Sequence, residues 1–258
     1  LKVYFGLSAS RFEPVELIPR FRFRLDLPVT KKKLRLIIES EPDEELSIEE
    51  RNLSQLPSTA ERDDEGVYAS FRYLLDAPSW RKLSFDWGVK ARWLPDIFAR
   101  ARAVRSWDLN EYWKVYFSQE AFWFESEGLG THSKFDFDRQ LSETFLFRKT
   151  SAIDWHERIE TYRLLEQLAI FHDISENRAV QYALGFTGTH RKNHSVVSNY
   201  FVKATYRRRV YKDWLFYELT SGLEYPRAER YRHNPFIGVR LEILFSENAE
   251  KKLSTRMY

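Results

Sequence analysis

The chain contains no cysteine, so disulfide bonds and thiolate catalysis are excluded, and redox logic does not fix its compartment. It has no run of about eighteen apolar residues, which excludes a transmembrane helix. No glycine-rich phosphate loop occurs; glycine and proline number nine each in 258 residues. Charge of one sign is not in large excess, and a net charge of +3 is too small by itself to imply a nucleic-acid partner. Leu1 is not preceded by a methionine or a signal-peptide pattern. If the protein is exported, its leader, and any further N-terminal sequence, lies outside these residues.

Aromatic residues are plentiful: 20 Phe, 14 Tyr and 8 Trp make up 16% of the chain. That is high for a soluble domain and expected for a membrane barrel with aromatic girdles at both interfaces. The low mean hydropathy does not argue against this, because every second strand residue of such a barrel can face water.

The decisive pattern is alternation. In Arg20-Phe21-Arg22-Phe23-Arg24-Leu25-Asp26-Leu27, Phe21, Phe23, Leu25 and Leu27 share one face of an extended strand, and Arg20, Arg22, Arg24 and Asp26 share the other. An Arg turned toward lipid at mid-membrane costs about 2–4 kcal/mol. Three on one face settle the phase: apolar side chains out, charges in. The same split sets Leu83, Phe85, Trp87, Val89, Ala91 and Trp93 against Lys82, Ser84, Asp86, Lys90 and Arg92. Phe135 and Phe137 oppose Lys134, Asp136 and Asp138. Tyr200, Val202, Ala204 and Tyr206 oppose Lys203, Thr205, Arg207 and Arg209, and Leu215, Tyr217 and Leu219 oppose Glu218, Thr220 and Glu224. The last apolar strand sets Ile237, Val239, Leu241, Ile243 and Phe245 against Gly238, Arg240 and Glu242, a strict alternation ending on an aromatic.

These stretches predict an all-β chain: a transmembrane, antiparallel, up-and-down β-barrel of about fourteen strands, with twelve as the lower count. The strands are expected near residues 1–11, 18–27, 33–40, 66–76, 81–93, 97–107, 112–125, 131–141, 144–155, 159–171, 178–190, 197–210, 214–225 and 235–245. The stretch Tyr162 to Ile170 also fits a short amphipathic helix. Residues 1–245 form the barrel and 246–258 a polar tail, either a periplasmic extension or in part a non-native addition. Turns at 28–32, 77–80, 108–111, 142–143, 175–178 and 212–213 read as tight. Connections at 42–65, 126–130, 156–158, 191–196 and 226–234 read as longer, although 13–17 and 94–96 are short. Such asymmetry separates periplasmic turns from exterior loops, and an even strand count returns both chain ends to the periplasm. The longest loop, 42–65, is rich in acid and reads as a solvated loop that could attract divalent cations or bridge lipopolysaccharide phosphates.

Trp80, Trp93, Trp107, Trp113, Trp123, Trp155, Trp214 and Tyr225 cluster at strand ends, as membrane interfaces require. A soluble sandwich or lipocalin would instead turn the apolar faces into one very large core. Three positions resist the phase: Gln119, Lys149 and Glu166 fall on the outward side, and a β-bulge is expected to correct them. Arg11, Arg105, Arg139 and Arg208 also fall outward, but at strand ends where long cationic chains reach the interface.

By this phase roughly nineteen basic and eleven acidic residues point inward, a mixture typical of polar barrel lumens. The lumen charges singled out are Arg20, Arg22, Arg24, Asp86, Lys90, Arg92, Arg100, Arg102, Asp136, Asp138, Lys203, Arg207, Arg209, Glu218, Arg240 and Glu242. Their basic excess favours anions if the lumen conducts. Catalytic groups are less well marked. His132, His156, His190, His194 and His233 fall at one end; Ser195 with His190 or His194 and Asp154 would make an acyl hydrolase, and Asp154, His156 and Glu157 a protease of aspartyl type. Neither set carries a specific motif. His190-x3-His194 lacks a completing ligand, so no metal or cofactor is expected.

At Phe122-Trp123-Phe124-Glu125-Ser126-Glu127-Gly128-Leu129-Gly130, Asp213-Trp214-Leu215-Phe216-Tyr217-Glu218, and Glu224-Tyr225-Pro226-Arg227 through Asn234-Pro235 to Phe245, the chain resembles a family of uncharacterised proteobacterial outer-membrane proteins. The resemblance implies an outer-membrane barrel, often preceded by a periplasmic segment, and carries no catalytic residues. The tail after Phe245 departs from the family's usual ending on the final aromatic. The expected function is a passive, anion-leaning channel or the membrane part of a larger envelope assembly. The alternative is an outer-membrane lipid, lipopolysaccharide or peptide hydrolase with its site at the extracellular rim. Expected partners are outer-membrane lipid and lipopolysaccharide, with an envelope or periplasmic protein in the assembly reading, and no nucleic acid.

Overall fold

A strand with one apolar and one charged face cannot be buried alone, and in lipid no strand edge can be left open. A closed barrel meets both demands. The computed structural model describes residues 1–27, 33–40, 66–77, 80–91, 93–158, 160–192, 194–212 and 214–245. Within them lie fourteen strands: β1 (Lys2–Ser10), β2 (Glu16–Asp26), β3 (Leu34–Glu39), β4 (Val67–Leu75), β5 (Lys82–Ala91), β6 (Asp96–Asp108), β7 (Trp113–Phe124), β8 (Gly128–Gln140), β9 (Phe145–His156), β10 (Thr161–Ser175), β11 (Arg178–Arg191), β12 (His194–Tyr211), β13 (Leu215–Pro226) and β14 (Asn234–Leu244). A single 3-10 turn, Arg227–Glu229, is the only helical piece among the described residues.

Each strand pairs antiparallel with the next, and β14 closes on β1 from Lys2↔Leu244 to Ser10↔Phe236. The Leu1 amino group donates to the Phe245 carbonyl at 2.9 Å, and the Phe245 amide donates to the Leu1 carbonyl at 2.7 Å. Both ends of the barrel chain therefore sit at one end of the barrel, here the near end; the opposite end is the far end.

The expected phase holds along the strands. Trp87 is 41% exposed while its neighbour Asp86 is 2% exposed. Phe5, Phe23, Phe71, Leu184, Val202 and Ile237 are exposed on the outer wall, whereas Arg72, Lys90, Arg102 and Glu242 are buried inside. The stretch that could pass for a helix is β10: Leu165, Gln167, Ala169 and Phe171 are buried, and Leu168 and Ile170 are exposed. Its period is two because β9 and β11 take up its backbone groups along nearly its whole length.

The loop asymmetry is weaker than expected. β8 begins at Gly128 rather than after Gly130, and β12 begins at His194, so the connections expected at 126–130 and 191–196 are tight. Gly128 makes the first possible with φ of 78°, and a Cβ there would lie 2.9 Å from Glu157 Oε2. The turn at 28–32, the acidic loop 42–65 and the tail 246–258 lie outside the described residues.

The expected bulges at Gln119, Lys149 and Glu166 are absent. Register shifts occur between Asp173 and Ser175, Thr187 and Gly188, and Arg209 and Tyr211, but pairing is unbroken through Ala103↔Gln119↔Ser133 and Ser151↔Glu166↔Phe186. These polar side chains therefore stay on the outer wall.

Candidate functional site

The interior of the barrel is where polar chemistry is concentrated. Of the sixteen lumen charges expected from alternation, Arg22, Asp86, Lys90, Arg100, Arg102, Asp136, Asp138, Lys203, Arg207, Glu218 and Glu242 are buried. Arg20, Arg24, Arg209 and Arg240 are half-buried. Arg92 lies outside the described residues.

The structure gathers most of these charges in three groups, each spanning neighbouring strands, while Arg24 and Arg35 meet at Asp26 toward the near end. The largest runs from β2 to β7. Arg72 donates its Nε and Nη2 to the two oxygens of Asp86, both at 2.7 Å. Arg100 Nη2 meets the same carboxylate at 2.9 Å, lies 3.7 Å from Glu39, and its Nη1 is 4.0 Å from Glu120. Arg22 closes on Glu39 at 3.1 Å, and Arg102 donates to Glu120. Four guanidinium groups thus share three carboxylates. A second group joins β12 to β14: Arg207 and Arg240 both pair with Glu218, and Arg207 reaches Glu242 at 2.8 Å. A third lies on β8 and β9, where Arg148 forks onto Asp138 and Lys134 meets Asp136 at 3.0 Å. Asp136 also accepts from Thr150 at 2.6 Å.

Packing explains why these chains point along the wall and toward one another. Next to Arg148, the ring of Phe171 gives its guanidinium a cation–π contact at 5.7 Å, and Phe171 packs with Leu146, Ala169 and Ala183. Gly185 has no side chain where the Phe201 ring lies: a Cβ there would be 2.8 Å from that ring and 2.2 Å from the Glu166 carbonyl. Toward the far end Lys90 Nζ sits 5.2 Å from the Tyr68 ring and 5.7 Å from Phe124, and Glu127 is 3.9 Å away.

Five members of these groups, Glu39, Arg72, Glu120, Lys134 and Arg148, are absent from the sixteen lumen charges singled out by sequence, although alternation places Lys134 on the inward face. Arg72 was legible, since Ala69, Phe71 and Tyr73 alternate around it. Glu39 ends a six-residue strand, and Glu120 sits beside the outward Gln119, so alternation is too short or too broken to mark them.

The rim histidines are not assembled into one site. His132 Nδ1 bonds Asp154, His156 packs on Phe122, His190 Nδ1 lies 2.8 Å from Ser195 Oγ, and His233 Nε2 lies 2.8 Å from an Arg11 amino group. The hydrolase set of Ser195, His190 and Asp154 does not form. His190 registers with Tyr162 on the outer wall, whereas Asp154 registers with Arg163 on the other face and is held by His132. Glu157 of the protease set accepts from the Leu129 amide at 2.9 Å. At the near-end rim, between strands, the hydrogen bond from Lys33 to Asp76 raises the lysine pKa.

No protein-family model matches the sequence, and a comparison with curated proteins found no match. Solved structures are similar over nearly the whole chain. The loop L8 deletion mutant of OmpT, an outer membrane protein of Vibrio cholerae, superposes with a TM-score of 0.53 at 7% identity, over 94% of this chain and 96% of that one. A bacterial polysaccharide outer membrane secretin gives 0.51 at 11% identity, over 95% and 98%. The outer membrane channel DcaP of Acinetobacter baumannii gives 0.50 at 9% identity, over 95% and 96%. At these identities the likeness is one of fold, and the fold is that of a porin-like outer-membrane β-barrel.

Proposed function

We propose that the protein is an integral outer-membrane barrel that acts as a passive, anion-leaning channel, with both chain ends on the periplasmic side. The observation that carries this reading is the radial split of Asp86 and Trp87: the charge is buried inside a closed barrel and the indole is exposed on its wall. An outer wall of Phe, Leu, Trp and Val suits outer-membrane lipid and lipopolysaccharide, while a charged interior suits water and ions. The fold shared with DcaP, an outer membrane channel, supports the same reading.

Pairing tempers the expected selectivity. Arg22, Arg100, Arg102 and Arg207 share their charge with Glu39, Asp86, Glu120, Glu218 and Glu242. The anion preference then rests on the surplus of inward basic side chains over inward acidic ones along the strands, not on any single arginine: Arg24, for instance, meets Asp26 at 3.2 Å. Basic side chains turned into a barrel leave no broad cationic face for nucleic acid. Recording refolded protein in planar lipid bilayers tests the proposal: discrete current steps with a reversal potential favouring chloride over potassium support it, and electrically silent, folded protein refutes it.

A further inference from the structure

Gln119, Ser133, Ser151, Lys149 and Glu166 form a polar patch on the outer wall of β7 to β10, at the middle of the strands. On β7 the patch residue Gln119 lies between Trp113 and Trp123, which mark the two ends of the outward face. On β9, Lys149 and Ser151 lie between Phe145 and Trp155 in the same way. The patch is internally bonded: Ser133 Oγ donates to Gln119 Oε1 at 2.7 Å, Ser151 Oγ donates to Glu166 Oε2 at 2.9 Å, and Lys149 Nζ is 3.6 Å from that same oxygen. These bonds do not hide it, since the Lys149 side chain remains 49% exposed and that of Glu166 29%. An ion pair facing hydrocarbon is unfavourable, and ionisable groups at membrane depth usually have a cavity or a protein neighbour.

We propose that this wall is a homotypic interface, at which a second copy of the chain packs patch against patch within the membrane. The argument is complementarity. The patch carries one cation, one anion, an amide and two hydroxyls, so it is neutral and offers donors and acceptors in mixture. Two copies inserted in the same direction are related by an axis along the membrane normal, so each residue meets residues at its own depth. The Lys149 and Glu166 head groups touch, hence share one depth, and a two-fold brings Lys149 of one copy to Glu166 of the other. Next to the patch the wall is flat: Ala99, Ala101 and Ala103 of β6 and Ala121 of β7 point outward, and Ala101↔Ala121↔Thr131 form one row. Small outward side chains let a second wall approach closely.

The inference rests on the membrane reading, which would already fail if the protein purified folded without detergent. Because the chain has no cysteine, single thiols report proximity cleanly. In proteoliposomes, S151C, beside the two-fold, is expected to form covalent dimers under mild oxidation, and V202C and V239C, on the outer wall elsewhere, are not. K149E and E166K alone should each lower the dimer yield at least severalfold, and K149E/E166K should restore it. The apolar double variant K149M/E166L suits lipid and is expected to fold as a monomer, with folding read from heat-modifiable gel migration. Equal cross-linking at all three thiols, or dimer yield indifferent to both charge reversals, overturns the proposal. Patch thiols that never join each other yet are shielded from a lipid-phase reagent would assign the wall to a different protein and overturn it as well.

Discussion

Arg100 and Arg72 grip one carboxylate, Asp86, from the two strands on either side of it, at 2.9 Å and 2.7 Å. Arg100 also faces Glu39 and Glu120, so a single guanidinium ties β3, β5 and β7 to β6. The interior of the barrel is therefore a set of linked ion pairs rather than a row of independent charges.

Removing Asp86 should show this linkage. Breaking a buried ion pair by deleting one partner costs about 3–5 kcal/mol. D86N is expected to lose stability of about that order in urea unfolding from lipid vesicles, because two buried guanidinium groups lose their shared counter-charge and one acceptor oxygen becomes an amide donor. E143Q, at the exposed near-end turn, should stay within about 0.5 kcal/mol of the parent. An unchanged midpoint for D86N would show that the pairs contribute nothing in lipid.

The lipid face makes a depth-dependent prediction. F85R places a cation on the outer wall within β5 and should destabilise the barrel by about 2–4 kcal/mol. L129R, outward at the far rim, should cost about 0–1 kcal/mol. Equal costs, measured by denaturant titration in vesicles, would contradict the assignment of that wall to lipid.

Gly185 marks a close approach between backbone and ring. G185V would force a side chain against the Glu166 carbonyl and the Phe201 ring. Overpacking of this kind costs about 1–3 kcal/mol, so refolding yield and urea midpoint should both fall. A variant as stable as the parent would mean that the wall there yields freely.

Most of the fold was legible in the sequence, and for one physical reason. A strand such as β2 must turn Phe21 and Phe23 one way and Arg22 and Arg24 the other, so solvent, phase and closure follow from period-two alternation. The contacts inside were not legible, because alternation gives the face of Arg100 but not which carboxylates on β3, β5 and β7 its side chain will reach. Gln119, Lys149 and Glu166 broke the pattern and were assigned to bulges, whereas the register is unbroken and the polar wall is real. The connections at 126–130 and 191–196 read as longer loops, although Gly128 and His194 both begin strands. The set Ser195, His190 and Asp154 failed because sequence proximity to one rim says nothing about which face of the sheet each residue occupies.

Selectivity is the most direct test of the channel. Single-channel recording under a potassium chloride gradient is expected to give discrete steps with a reversal potential favouring chloride, displaced toward potassium in R20E/R24E. Folded protein that inserts but passes no current, or a cation preference indifferent to those two arginines, would contradict the account.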